Sequence, residues 1–215
     1  MAVVTFKFTD HGFRPSFEVE INPEYPATGD WGIPEFQFGT RSGTGTFRAG
    51  DTLTLRFRPV EASPWVALFA VLDPEHYANG LFACPNPGHL LVAAGTNAYL
   101  LDVTEPGAGD DLPIRPVIHV QRPSGMDLLL IGSFTNLAAV DEAGLRWVTG
   151  RLFLDDLELV DGQPGKIYVQ GSVHSIPSDP ELLTIDPSRG DLMSGPRYTD
   201  SRHPDGEPGW RRPGI

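Results

Sequence analysis

Residues 126–150, MDLLLIGSFTNLAAVDEAGLRWVTG, decide the fold class of this chain. The apolar run 128–131 is too short for a helix, and Gly132 interrupts it before an extended segment resumes. The segment 141–144, DEAG, predicts a tight turn, because aspartate bonds its own backbone and glycine adopts positive φ. A strand that carries Trp147 follows the turn. The stretch therefore predicts two strands, a tight turn and a third strand.

The same pattern recurs on both sides of this stretch. A glycine follows an apolar strand and an aspartate ends the next strand, with a period of about 40 residues. The glycines are Gly95, Gly132 and Gly171, and the aspartates are Asp102, Asp141 and Asp186. Each aspartate precedes a turn that ends in glycine. A period of this length with several strands in each repeat is typical of β-propeller blades.

Residues 88–195 resemble the blades of pyrroloquinoline-quinone-type repeat propellers. Blades of that family read as an apolar strand and glycine, a strand that ends in Leu-Asp, a glycine, and a strand with tryptophan. The corresponding segments here are 129–132, 137–141, Gly144 and Trp147. The resemblance implies antiparallel blades. None of the quinone-binding residues of the family has a match in this sequence, so no cofactor is expected.

The residues before the repeats predict antiparallel strands without the repeat pattern. Residues 52–58, TLTLRFR, alternate strictly, which turns Leu53, Leu55 and Phe57 inward. Residues 65–72, WVALFAVL, fit either a strand that is buried on both faces or a short helix. We therefore predict an all-β fold with antiparallel sheets, made of an N-terminal sandwich-like part and blade-like repeats. A small β-propeller is the alternative.

Three regions follow from this prediction. Residues 1–87 form an antiparallel β region with an aromatic-rich loop, and residues 88–195 form the blade-like repeats. Residues 196–215 are proline-rich and form a tail that is predicted to be poorly ordered.

The aromatic-rich loop supplies the candidate binding residues. Prolines and glycines interrupt residues 22–50, which also carry Trp31, Phe36 and Phe38. Such a loop is either a binding surface or a lid over the core, since aromatic side chains bury large areas in both roles. Trp147 in the repeat region is the fourth candidate.

Charge limits the partners. The chain has 28 acidic and 16 basic residues and a formal net charge of −12. Because phosphate backbones are bound by clustered lysine and arginine, nucleic acid is not expected as a partner. The charge favours solubility or a basic protein partner. The sequence has no run of 18 apolar residues and no secretory signal pattern, so we expect a cytoplasmic protein with no membrane contact.

No motif identifies a catalytic residue or a metal site. Cys84 is the single cysteine, which excludes an internal disulfide, and its pairing with His89 as a nucleophile lacks an orienting acid. The histidines show no metal-ligand spacing. Asp155 and Asp156 are adjacent, and neighbouring strand residues point to opposite faces.

Three function hypotheses remain open. The first is a non-catalytic binding or scaffold protein, for example an inhibitor or immunity-type partner of a basic protein. The second is an enzyme that acts on a sugar or small polar substrate with carboxylates such as Asp155 and Asp156 and aromatic residues such as Trp31 and Trp147. This hypothesis requires two carboxylates that converge in a cleft. The third is an assembly subunit, which an unprotected edge strand would favour.

Overall fold

All regular secondary structure in the computed structural model, which describes residues 5–39, 52–71, 77–173 and 179–196, is β. The strands form four sheets in which most neighbours are antiparallel. The predicted all-β, antiparallel fold is confirmed. The chain divides into two compact units, Met1–Leu112 and Pro113–Ile215. The division therefore follows residue 112, whereas the sequence patterns place a boundary after residue 87.

The first sheet of unit 1 has the order β2-β4-β5-β3. Its strands are β2 (Phe17–Ile21), β3 (Glu35–Phe38), β4 (Thr52–Pro59) and β5 (Trp65–Ala70). The alternation in β4 buries Leu53, Leu55 and Phe57 completely, as predicted. The apolar segment that begins at Trp65 is a strand and not a helix, because it pairs with β4 on one side and β3 on the other.

The second sheet of unit 1 has the order β1-β6-β7-β8-β9. Its strands are β1 (Phe8–Thr9), β6 (Gly80–Ala83), β7 (His89–Ala94), β8 (Asn97–Asp102) and β9 (Gly109–Asp111). The inward side chains of both sheets meet in one apolar core, to which Phe57 and Trp65 contribute from the first sheet and Leu90 and Leu101 from the second. Each large side chain that is fully buried stabilises the fold by roughly 1.5–3 kcal/mol.

Unit 2 consists of two sheets of four consecutive antiparallel strands. The first contains β10 (His119–Gln121), β11 (Leu129–Gly132), β12 (Leu137–Asp141) and β13 (Gly144–Val148), and the second contains β14 (Asp155–Gln163), β15 (Lys166–Ser172), β16 (Glu181–Ile185) and β17 (Leu192–Ser194). The two strands, the tight turn and the third strand predicted for residues 126–150 are β11, β12 and β13. Leu130, Leu137, Val169 and Leu183 join the sheets in one core.

The repeated glycines and aspartates occupy corresponding positions in three meanders, β6–β9, β10–β13 and β14–β17. Each glycine lies at or next to the end of the second strand, and each aspartate lies at or just after the end of the third. The aspartates build the following turns in the same way, because one carboxylate oxygen accepts the backbone N–H two residues on. These bonds join Asp102 to Thr104, Asp141 to Ala143, and Asp186 to Ser188, at 2.9, 2.8 and 2.7 Å.

An indole hydrogen bond joins the two sheets of each unit. Trp65 Nε1 donates to the carbonyl of Val103 at 2.9 Å, and Trp147 Nε1 donates to the carbonyl of Pro187 at 2.9 Å. In both units the acceptor is the residue directly after the turn-forming aspartate. Each bond therefore adds one directional contact to the apolar core that joins the two sheets of its unit.

Candidate functional site

Residues 22–34, between β2 and β3, form a loop that is held at both ends. Asn22 N donates to the carbonyl of Thr54 at 2.8 Å, and its side-chain oxygen accepts from Thr54 N at 2.9 Å. At the other end, Val66 N donates to the carbonyl of Pro34 at 2.9 Å. The loop is therefore attached to β4 and β5, the two central strands of its sheet.

Hydrogen bonds within the loop determine its shape. Gly29 N donates to the carbonyl of Pro26 at 2.9 Å and closes a turn, and Tyr25 Oη donates to the carbonyl of Gly29 at 3.0 Å. Gly32 N donates to Asp30 Oδ1 at 2.8 Å. Gly29 and Gly32 have φ values of 75° and 67°, a conformation that glycine adopts without strain. Tyr25 is therefore held in a defined position.

Tyr25 and Trp31 form an aromatic pair on this loop. Their ring centroids are 5.3 Å apart and their planes meet at 89°. Tyr25 is 60% exposed, whereas Trp31 is half-buried. The indole N–H of Trp31 is buried and has no acceptor within the described part of the chain. The pair presents aromatic surface on a loop whose backbone is already ordered.

The loop and the start of β3 carry negative charge that the described residues leave unpaired. Glu24, Asp30 and Glu35 are exposed, and the sequence has no lysine or arginine between Arg14 and Arg41. None of the three acids forms an ion pair with a described residue, whereas the nearby Glu18 and Glu20 on β2 pair with arginines on β4. Negative charge without an ion pair to the described residues therefore lies on the loop that carries the aromatic pair and at the start of β3.

Phe36 and Phe38, two of the predicted binding residues, contact the core of unit 1. Phe36 meets Trp65 edge-on at 5.7 Å, and Phe38 stacks on Phe69 at 5.0 Å. Phe38 is buried and Phe36 is partly buried against the core cluster. Both rings lie on the same face of β3, since strand residues two apart share a face. Of the two alternatives for the aromatic-rich loop, these two rings have the geometry of a lid.

Trp147, the predicted binding residue in the repeat region, lies on β13 in unit 2. It is 4% exposed, and its indole makes the bond to Pro187 described above. Gly190 lies against the ring, because a Cβ built on this glycine would come within 2.7 Å of it. The structure thus gives Trp147 a packing role. Of the four candidates, Trp31 is the one that joins an exposed partner ring.

Tyr25, the most exposed ring of the loop, is not among the binding residues that the sequence predicts. The sequence feature that could have identified it is an acid directly before each ring of the pair, Glu24 before Tyr25 and Asp30 before Trp31. Consecutive Cα atoms are about 3.8 Å apart, so the backbone of each acid lies next to the backbone of its ring. The remaining residues of the predicted 22–50 loop after Gly39 lie outside the described part.

The remaining candidate catalytic residues are Cys84 with His89, and the adjacent acids Asp155 and Asp156. Cys84 is buried, and burial raises the pKa of its thiol to about 12, so the thiolate that a nucleophile requires is not populated at neutral pH. His89 Nε2 lies 3.9 Å from Asp102 Oδ2. Asp155 and Asp156 are exposed on β14, where Asp155 Oδ1 accepts from Asp156 N at 2.9 Å. This bond lies within a register shift of the strand.

Metal-binding clusters and membrane-spanning helices are both absent from the described residues. These residues contain no group of three or more histidine, cysteine, aspartate or glutamate side chains placed to hold a metal ion. They also contain no helix of the length and apolarity needed to cross a membrane.

In comparisons with known proteins, no protein-family model and no curated protein sequence matches this chain.

Proposed function

We propose that this protein is a non-catalytic binding module whose loop 22–34 takes a basic segment of a protein partner. The observation that carries the proposal is the exposed Tyr25 ring at right angles to Trp31, on a loop held at both ends. Aromatic side chains of this kind are enriched where one protein binds another, because they supply large contact area with few rotatable bonds.

Order in the free protein favours this role. Binding costs free energy when side chains and loops become fixed, and a preorganised surface avoids part of that cost. The hydrogen bonds from Tyr25 to Gly29 and from Gly32 to Asp30 already hold the loop. The carboxylates on the loop, which form no ion pair with the described residues, attract a basic partner and repel an acidic one, which increases association rate and specificity.

The three meanders that follow the sheet carrying this loop are best explained as propeller-like blades. Three meanders of four antiparallel strands follow one another, with corresponding glycines and aspartate turns. The same part of the chain carries the sequence resemblance to pyrroloquinoline-quinone-type repeats, and on that basis we propose a relation to this family. The sheets act as a scaffold in the proposal, and the loop acts as the contact surface.

Selection from a random peptide library tests the proposal, because it does not require the partner to be identified first. The immobilised full-length protein is used to enrich displayed peptides of about 12 residues. The enriched peptides are then titrated against the wild type, Tyr25→Ala and Val60→Ala. Val60 is 79% exposed and lies outside the loop, so its substitution serves as the matched control.

We expect enriched peptides to carry net positive charge and to bind Tyr25→Ala about tenfold or more weakly, a change of about 1.4 kcal/mol. Binding to Val60→Ala should remain at the wild-type level. Enriched peptides that bind Tyr25→Ala as tightly as the wild type would overturn the proposal, and so would a failure to enrich any peptide.

A further inference from the structure

We propose that the angle between Tyr25 and Trp31 is a binding site for a guanidinium group, so that the loop recognises an arginine side chain. This inference rests on the proposed binding function and names the group that the partner inserts. It follows from the ring geometry and from the charge beside each ring.

The ring geometry suits a flat cation. The rings meet at 89° with centroids 5.3 Å apart, so a flat group that enters the angle between them can contact both rings. The face of an aromatic ring is negative, and tyrosine and tryptophan attract cations placed over it. Because Tyr25 is 60% exposed, part of its ring surface is available from solvent.

The charge beside the rings is of the sign and kind that a guanidinium requires. Glu24 and Asp30 precede Tyr25 and Trp31 directly and are both exposed. Asp30 uses Oδ1 to hold Gly32 N, and Glu24 forms no ion pair with any residue of the described ranges. The carboxylate of Glu24 can accept hydrogen bonds from a guanidinium through both oxygens, and Asp30 can accept through Oδ2, which adds direction to the attraction.

Arginine fits this site better than lysine. A guanidinium is planar, stacks on aromatic faces and is weakly hydrated, so its transfer out of water costs little hydration free energy. The lysine ammonium is a compact and strongly hydrated charge that cannot stack. The site should therefore discriminate by the shape of the cation as well as by its charge.

Three capped tripeptides test the inference, with arginine, lysine or citrulline between two glycines. Citrulline has the shape of arginine without the charge, which makes it the matched control. Each peptide is titrated into the full-length protein while the indole N–H signals are followed by NMR. The Trp31 signal is assigned by its loss in Trp31→Phe.

The arginine peptide should shift the Trp31 signal with saturation, and the citrulline peptide should bind at least about tenfold more weakly. The affinity of the lysine peptide should lie between those of the arginine and citrulline peptides. Asp30→Asn retains an oxygen for Gly32 N but removes the charge, so it should weaken the arginine peptide severalfold. Val60→Ala should leave it unchanged, and circular dichroism confirms the fold of each variant.

Equal binding of arginine and citrulline peptides would overturn the inference, as would an arginine titration that shifts other indoles and leaves Trp31 unaffected. These results are separable from failure of the proposed function. Library peptides that depend on Tyr25 but tolerate replacement of arginine by citrulline would retain the binding module and exclude the guanidinium site. Library peptides that bind independently of Tyr25 would exclude the module itself.

Discussion

At the scale of single residues, two glycines show how closely the sheets of each unit approach. Gly107 and Gly190 lie in the turns after Asp102 and Asp186, and each has positive φ. A Cβ on Gly107 would meet the ring of Phe36 at 2.5 Å, and a Cβ on Gly190 would meet the ring of Trp147 at 2.7 Å. In both units an aromatic ring of the first sheet therefore covers the aspartate turn of the second.

Gly190→Ala should be markedly more destabilising than Gly165→Ala. Gly165 also has positive φ, 85°, but a Cβ there would meet nothing within 4 Å. Both substitutions carry the left-handed backbone cost of roughly 1–2 kcal/mol. Overpacking against Trp147 should add roughly 1–3 kcal/mol for Gly190→Ala alone. Urea unfolding of both variants measures the difference, and equal losses of stability would show that the ring does not pack on the turn.

At the scale of elements, the aspartate turns end the third strand of each meander and start the return. In the turn after β16, Asp186 Oδ1 accepts from both the backbone N–H and the hydroxyl of Ser188, at 2.7 and 2.6 Å. Asp102 Oδ1 accepts from the same two groups of Thr104, at 2.9 and 2.7 Å. The bonds from Ser188, led by the hydroxyl, hold the pKa of Asp186 below its ordinary value of 3.8. The ionised carboxylate thus stabilises the turn.

Substitution of Asp186 should destabilise the protein in a pH-dependent way. Asp186→Ala removes the acceptor and should cost about 1 kcal/mol at pH 7. Because the folded pKa is lowered, this contribution is complete above about pH 3.8 and declines as the pH falls through the folded value. Asp186→Asn retains an acceptor oxygen and should lose less.

Unfolding curves at pH 7 and at pH 3 compare the wild type with both variants. A stability gap between the wild type and Asp186→Ala that stays the same at both pH values would contradict a role for the ionised carboxylate. We expect the stability difference between the wild type and Asp186→Ala to be smaller at pH 3 than at pH 7. The difference between the wild type and Asp186→Asn should be the smaller of the two at both pH values.

The elements that sequence could predict are those with local signals. Alternation in β4 and the Asp-to-Gly turns depend on neighbouring residues, so the sequence predicts them directly. It does not predict the parallel pairing of β3 with β5, since this pairing joins distant segments. For the same reason the sequence leaves open whether Phe36 and Phe38 cover the core or bind a ligand. That answer depends on Trp65 and Phe69, which only the folded sheet brings to them.

At the scale of the whole molecule, a β scaffold carries the one contact surface that we propose. The net charge of −12 is spread over the chain, and acids also occur at exposed positions of strands β9 and β14. Charge alone would therefore attract basic partners to several places. The aromatic pair of Tyr25 and Trp31 distinguishes loop 22–34 from these other acidic segments.

Hydrogen exchange with a library-selected peptide tests this central claim most directly. The protein is exchanged with and without a saturating peptide, and protection is mapped by mass spectrometry. We expect the added protection in residues 22–38, with β9 and β14 unchanged. Protection concentrated in β9 or β14, with none in the loop, would contradict the assignment of loop 22–34 as the binding surface.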